Sequence, residues 1–116
     1  MSQPMHIVVS GLGAIGGYYG GMLAAYTEQM QALHTSFFMR PGEHLEQVKS
    51  QGLHISSPTI DSTVHPYRVS SVASELPTAD VLFLATKSYD ALENIEQLRP
   101  IITPSTAIVP LHNGLD

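Results

Sequence analysis

The sequence predicts an α/β protein built on a parallel, doubly wound sheet, and three of its features carry that expectation. Short apolar, β-branched runs alternate with stretches of helical period along the chain. The clearest run, VLFLA at Val81–Ala85, is continuously apolar, as a parallel strand covered on both faces should be. The first run stops at a glycine-rich segment, GLGAIGGYYGGMLA, which opens directly into a helical pattern.

Taken in order, Met5–Ser10 (MHIVVS) is a buried strand ending at Gly11. Ala14 to about Thr27 is a helix, with Ile15, Tyr18, Tyr19, Met22 and Leu23 at three- and four-residue steps. His34–Met39 is a second strand, followed at once by Arg40-Pro41-Gly42. Glu43–Ser50 is a short helix with Leu45 and Val48 on one face and Gly52 as its stop. Leu53–Ser56 is a brief third strand, and the Ser-, Thr- and Pro-rich Ser57–Ser74 holds a loop with an irregular strand near Thr63–Val69. Val81–Ala85 is the fourth strand. Asp90–Leu98 is a helix with Asp90 as N-cap and Glu93 in capping-box position, ended by Pro100. Thr106–Leu111 is a fifth strand, with Pro110 better suited to its end than its middle, and His112-Asn113-Gly114 is a turn.

The 116 residues are 43% hydrophobic, enough for one domain with a real core. A formal net charge of −5 argues against nucleic acid as the main partner, because duplex binding relies on clustered Lys and Arg. No apolar run is long enough to span a membrane, and MSQPMHIVVS lacks the basic and apolar regions of a signal peptide. With no cysteine there are no disulfides, and the expected location is the cytoplasm. The last strand is followed only by a turn, so the chain reads as the front part, residues 1–116, of something longer. An apolar surface left for a second domain would favour self-association into homo-oligomers.

Six of the nine glycines lie at 11, 13, 16, 17, 20 and 21. Each glycine inside a helix costs about 1 kcal/mol relative to alanine, so the concentration needs a reason. Strand, then Gly11-x-Gly13-x-x-Gly16, then helix is the dinucleotide-binding fingerprint of the Rossmann fold. Gly11 permits the tight turn, Gly13 lets a pyrophosphate approach the backbone, and Gly16 lets the helix lie close to the sheet. Leu12, Ala14 and Ile15 complete the loop whose free N–H groups and helix dipole face the phosphates. Gly16, Gly20 and Ala24 form one row of small residues and Gly13, Gly17, Gly21 and Ala25 its neighbour, a surface suited to close packing.

Where NAD-binding versions carry an acidic residue at the end of the second strand, this chain has Arg40, and no Asp or Glu lies between Glu28 and Glu43. A guanidinium there can grip a 2′-phosphate, which favours NADP; the alternative is a solvated residue preceding a helix. Lys87, just past the fourth strand, and Asn113, just past the fifth, lie on the edge where open α/β sheets bind ligands. A solvated loop lysine and an Asn-Gly turn are the alternatives there.

In that order, GLGAIGGYYGGMLA, FFMRPGEHL, QGLHI, ADVLFLATKSYD and PLHNGLD closely resemble the N-terminal domain of the ketopantoate reductase (2-dehydropantoate 2-reductase) family. The resemblance implies NADPH-dependent reduction of 2-dehydropantoate to pantoate, toward pantothenate and coenzyme A. It implies that Arg40 contacts the 2′-phosphate, Lys87 the cofactor's ribose region, and Asn113 the nicotinamide side and the substrate. It also implies that the general acid is a lysine in a helical C-terminal domain, so these residues alone should turn over little or nothing. One departure stands out: the family often has a glutamine three residues after that lysine, where this chain has Asp90.

Two other readings stay open. One is a dinucleotide-binding regulatory module without catalysis; the other is a reductase of a different 2-keto acid. Other constellations point nowhere in particular. The histidines His6, His34, His44, His54, His65 and His112 lack metal-ligand spacing. Ser10 and Ser56 have no triad partners at a recognised spacing, and Glu43, Glu46, Glu93 and Glu96 read as solvated.

Overall fold

The computed structural model of the chain describes residues 4–11, 14–28, 30–56, 61–85 and 88–111. The first apolar run forms β1 (Met5–Ser10), and the glycine-rich stretch forms helix α1 (Ala14–Thr27). They are followed by β2 (Leu33–Phe38), α2 (Glu43–Gln51) and a pair of short strands, β3 (Leu53–Ser56) and β4 (Asp61–Val64). The two-residue β5 (Val69–Ser70) and a 3₁₀ turn at Ala73–Glu75 lead to β6 (Val81–Leu84). Helix α3 (Ser88–Leu98), tightened at Arg99–Ile101 where Pro100 stops it, returns the chain to β7 (Ala107–Pro110). Pro110 closes β7, where a missing N–H costs the ladder least.

Five strands form one sheet in the order β5-β2-β1-β6-β7, every neighbouring pair parallel. The chain therefore winds outward in one direction from β1 and then crosses back to β6, giving the doubly wound order of the Rossmann fold. Both faces carry a core over β1 and β2, while β7 stays largely exposed. On one, Ile7, Val9 and Phe37 meet Ala24 of α1, Leu45 and Val48 of α2, and Ile55 and Val64 of the β3–β4 pair. On the other, Val8, Phe38, Leu82 and Leu84 meet Ala73, Leu76, Ala79, Leu98 and Ile101. Fully burying a side chain of this size contributes about 2 kcal/mol, so the continuous apolar runs of β1 and β6 dictate a central position.

The small-residue surface of α1 is used for close approach. A Cβ on Gly21 would sit 2.9 Å from Ile55 Cδ1 and 3.2 Å from Leu53 Cδ2, so β3 rests directly on the helix at this glycine. The carboxyl end of α1 is pinned by Thr27, whose hydroxyl lies 2.9 Å from that of Thr35 on β2.

Three expectations need correction. Leu53–Ser56 is a strand, but it pairs antiparallel with β4 in a separate two-stranded sheet and takes no place in the main one. The irregular strand expected near Thr63–Val69 is two strands, β4 and β5, and it is β5 that holds the third position beside β2. Asp90 does not precede its helix: α3 begins at Ser88, which puts Asp90 inside the first turn. Among the described residues, no helix is long and apolar enough to cross a membrane.

Candidate functional site

Because the five strands are parallel, their carboxyl ends share one edge, and the winding direction reverses between β1 and β6. Crevices at such a reversal are where open α/β sheets bind ligands. Gly11 stands at that point. Its φ of 90° lies in the left-handed region that a side chain disfavours, so a glycine is what lets the chain leave β1 here. Its N–H donates to the Phe38 carbonyl at 3.3 Å, while the Ala85 N–H donates to the Ser10 carbonyl at 2.9 Å. The end of β1 is thus tied to both neighbouring strands.

Ala14, Ile15 and Gly16 form the first turn of α1, which starts three residues past Gly11. The N–H groups of a helix's first turn lack intrahelical acceptors and carry the positive end of the helix dipole. No acidic residue occupies this turn, so nothing built into the helix competes with an incoming anion.

Arg40 is exposed two residues beyond Phe38, the residue paired with Ser10. The backbone leading into it is anchored, because Met39 is buried and donates its N–H to the Ser70 carbonyl at 3.0 Å. Arg40 therefore lies on the same edge as Gly11, and its guanidinium has no protein carboxylate partner among the described residues. Leu12, Gly13, Lys87 and Asn113 lie outside the described residues. Gly11, Ala14, Ile15, Gly16 and Arg40 are the expected site residues that the structure brings to one edge.

Other groups emerge only in three dimensions. Ser10, fully buried at the end of β1, donates its hydroxyl to Asn94 Oδ1 of α3 at 2.6 Å. At the opposite, amino end of the sheet, His6 and His34 face each other across β1 and β2, and Tyr67 stacks on His34 at 4.2 Å. Asp80 holds that end of β1: its carboxylate accepts the His6 N–H and its own N–H donates to the His6 carbonyl, both at 2.8 Å. The signal for the histidine pair was each residue's position near the start of its strand, readable only once the register was known. Glu43, Glu46, Glu93 and Glu96 are exposed, as expected.

The model of the family described as ketopantoate reductase PanE/ApbA matches residues 7–116. The chain is 30% identical over 111 residues to a 2-dehydropantoate 2-reductase of Mesorhizobium japonicum, covering 96% of this chain and 32% of that protein. It is 33% identical over 110 residues to the uncharacterized oxidoreductase YkpB of Bacillus subtilis, covering 95% and 34%. Its structure superposes on the crystal structure of 2-dehydropantoate 2-reductase from Porphyromonas gingivalis W83 with a TM-score of 0.85 and 38% identity, over 97% of this chain and 39% of that one. The chain thus spans about a third of the length of the curated relatives it matches. A parallel sheet wound outward from β1, a glycine turn at its reversal point and a family match over nearly the whole sequence agree: the chain belongs to the ketopantoate reductase PanE/ApbA family.

Proposed function

We propose that this chain is the NADPH-binding domain of a cytoplasmic 2-dehydropantoate 2-reductase-like oxidoreductase, which reduces a 2-keto acid to the hydroxy acid on the route to pantothenate. The observation that carries this reading is the placement of Gly11, the first turn of α1 and Arg40 on one edge at the reversal of the sheet. The residues present fit a dinucleotide. A bare backbone turn admits the pyrophosphate, unshared N–H groups face it, and a cation replaces the carboxylate that would hold an unphosphorylated ribose.

In this reading Gly11, Leu12, Gly13, Ala14, Ile15 and Gly16 hold the pyrophosphate, and Arg40 takes the 2′-phosphate through charge-assisted hydrogen bonds. Lys87 meets the ribose region, and Asn113 orients the nicotinamide end and the substrate. The bound cofactor supplies the hydride. Reduction of the ketone also needs a proton donor held beside it. We assign that donor to a lysine outside these 116 residues, so this chain binds cofactor and turns over slowly if at all.

A second reading, a reductase of another 2-keto acid with the same cofactor half, is favoured by one observation. The chain is as similar to an uncharacterized oxidoreductase as to a named 2-dehydropantoate reductase. Titration of the chain with NADPH and with NADH, followed by nicotinamide fluorescence, tests the cofactor assignment. Tighter binding of NADPH is expected, and equal affinity for the two removes it. Assaying the chain with 2-dehydropantoate tests the placement of the proton donor, and robust turnover by these residues alone overturns it.

A further inference from the structure

We infer that Asn94, acting through Ser10, is a positioning residue that sets the distance between Gly11 and the first turn of α3, the helix that follows Lys87 in the chain. Ser10 is fully buried, directly before Gly11, on the face of β1 that it shares with Val8. Its surroundings on the neighbouring β6 are Leu82 and Leu84, so nothing there satisfies a hydroxyl. Burying a hydroxyl without a partner is unfavourable, and the partner comes from a helix 84 residues away, Asn94 Oδ1 at 2.6 Å.

What makes this contact more than a core hydrogen bond is where its two ends lie. The Ser10 carbonyl accepts the Ala85 N–H at 2.9 Å, and the Ser10 hydroxyl holds Asn94. One residue therefore grips the chain on both sides of Lys87, at the end of β6 and in the middle of α3. An apolar contact would let α3 slide or rotate along its axis. A short, directional hydrogen bond fixes its height over the carboxyl edge. Since Ser10 directly precedes Gly11, the contact couples the end of β1 to the height of α3.

The inference rests on the dinucleotide reading, and its test separates the two. Ser10→Ala, Asn94→Leu and the double variant are compared by amide hydrogen exchange without cofactor, and by titration with NADPH and with 2′,5′-ADP. The latter reaches Arg40 but has no nicotinamide half. Ser10→Ala should raise the NADPH Kd about fivefold, Asn94→Leu at least as much, the double change no further than Asn94→Leu, and 2′,5′-ADP binding should stay within twofold. Exchange should quicken at 85 and 88–92 and remain unchanged in β2. Asn94→Asp, which keeps an acceptor for the Ser10 hydroxyl, should retain NADPH affinity within twofold and guards against variants that fail to fold. Equal weakening of both ligands, or an Asn94→Asp variant as impaired as Asn94→Leu, overturns the positioning role. If the unaltered chain binds no NADPH, the dinucleotide reading fails. The exchange pattern then decides alone, with unchanged rates at 85 and 88–92 counting against the clamp.

Discussion

His6 and His34 lie directly opposite each other on β1 and β2, their ring centroids 5.4 Å apart and tilted by 48°. The Nδ1 atom of each is buried without a hydrogen-bond partner. Tyr67 caps the pair, stacked on His34 at 4.2 Å and tilted against His6 at 5.6 Å, with the Arg68 guanidinium 5.4 Å from the Tyr67 ring centre. This end of the sheet is where the strands begin, remote from Gly11 and Arg40 at their carboxyl ends. It joins β1, β2, the approach to β5 and, through Asp80, the approach to β6.

That cluster should make stability sensitive to acid. Burial holds the His6 imidazole below its ordinary pKa of 6.5, His34 and Arg68 push it the same way, and Asp80 opposes them. A histidine with a lowered folded pKa binds fewer protons in the native state than when unfolded. Its stabilising effect is therefore full above about pH 6.5 and declines as pH falls through that value toward the lower folded pKa. Urea unfolding between pH 8 and pH 5 should show stability falling on the acid side, with a shallower fall in His6→Gln. An identical slope in that variant would remove His6 as the cause.

The cofactor reading turns on Arg40. Replacing it with alanine deletes the cation we assign to the 2′-phosphate and leaves the buried Met39 and its hydrogen bond to Ser70 in place. Because Arg40 is exposed, folding stability should change by less than about 0.5 kcal/mol. NADPH affinity should fall roughly tenfold, about 1.4 kcal/mol, and NADH affinity should stay within twofold. Calorimetric titration of both cofactors into both proteins provides the check. A parallel loss for NADH would mean that Arg40 does not read the phosphate.

Much of this fold was legible in the sequence, for reasons that also mark where legibility stops. MHIVVS buries its last four residues and VLFLA buries Leu82 and Leu84 with its other residues half-buried, so their apolar composition alone announced β1 and β6. Gly11 and Arg40 were legible because each follows a strand end within two residues, which makes their place on the sheet edge a local property. Leu53–Ser56 was recognisable as a strand, but its partner was not, since pairing depends on register with a distant segment. With two residues, β5 is too short to carry any periodicity. The Ser10–Asn94 contact and the His6–His34 pair were hidden for the same reason: residues 84 and 28 positions apart meet only after the sheet is assembled.

Ser36 offers a test of packing on the same face as the histidine pair. It is fully buried in β2, and its hydroxyl has no hydrogen-bond partner. An unsatisfied buried hydroxyl costs about 1–3 kcal/mol, whereas alanine at this site gives up only a small polar atom. Ser36→Ala should therefore raise stability by about 1 kcal/mol in urea unfolding at pH 7.5, with no change in cofactor affinity. A destabilised variant would show that the hydroxyl is satisfied in solution.

The turn between α2 and β3 makes a sharper demand. Gly52 has φ 85° and ψ 178°, a combination open almost solely to glycine, and its N–H closes α2 on the Val48 carbonyl at 2.9 Å. A Cβ there would also come within 2.7 Å of the Val64 carbonyl oxygen and 2.9 Å of the His65 ring. Backbone in this region costs a side chain roughly 1–3 kcal/mol before any clash is counted. The carbonyl cannot yield cheaply, because Val64 is paired with Leu53 in the β3–β4 ladder and buries its side chain in the core. Gly42 separates the two penalties: its φ of 148° is also positive, yet a Cβ there meets nothing within 4 Å. Gly42→Ala should thus lose only the backbone contribution, about 1 kcal/mol, and Gly52→Ala about 2–3 kcal/mol or more. Urea unfolding of the two variants side by side reads the difference. Equal losses would mean that the β3–β4 pair gives way around the new methyl group, and that its docking on Gly21 of α1 is looser than a 2.9 Å approach to Ile55 implies.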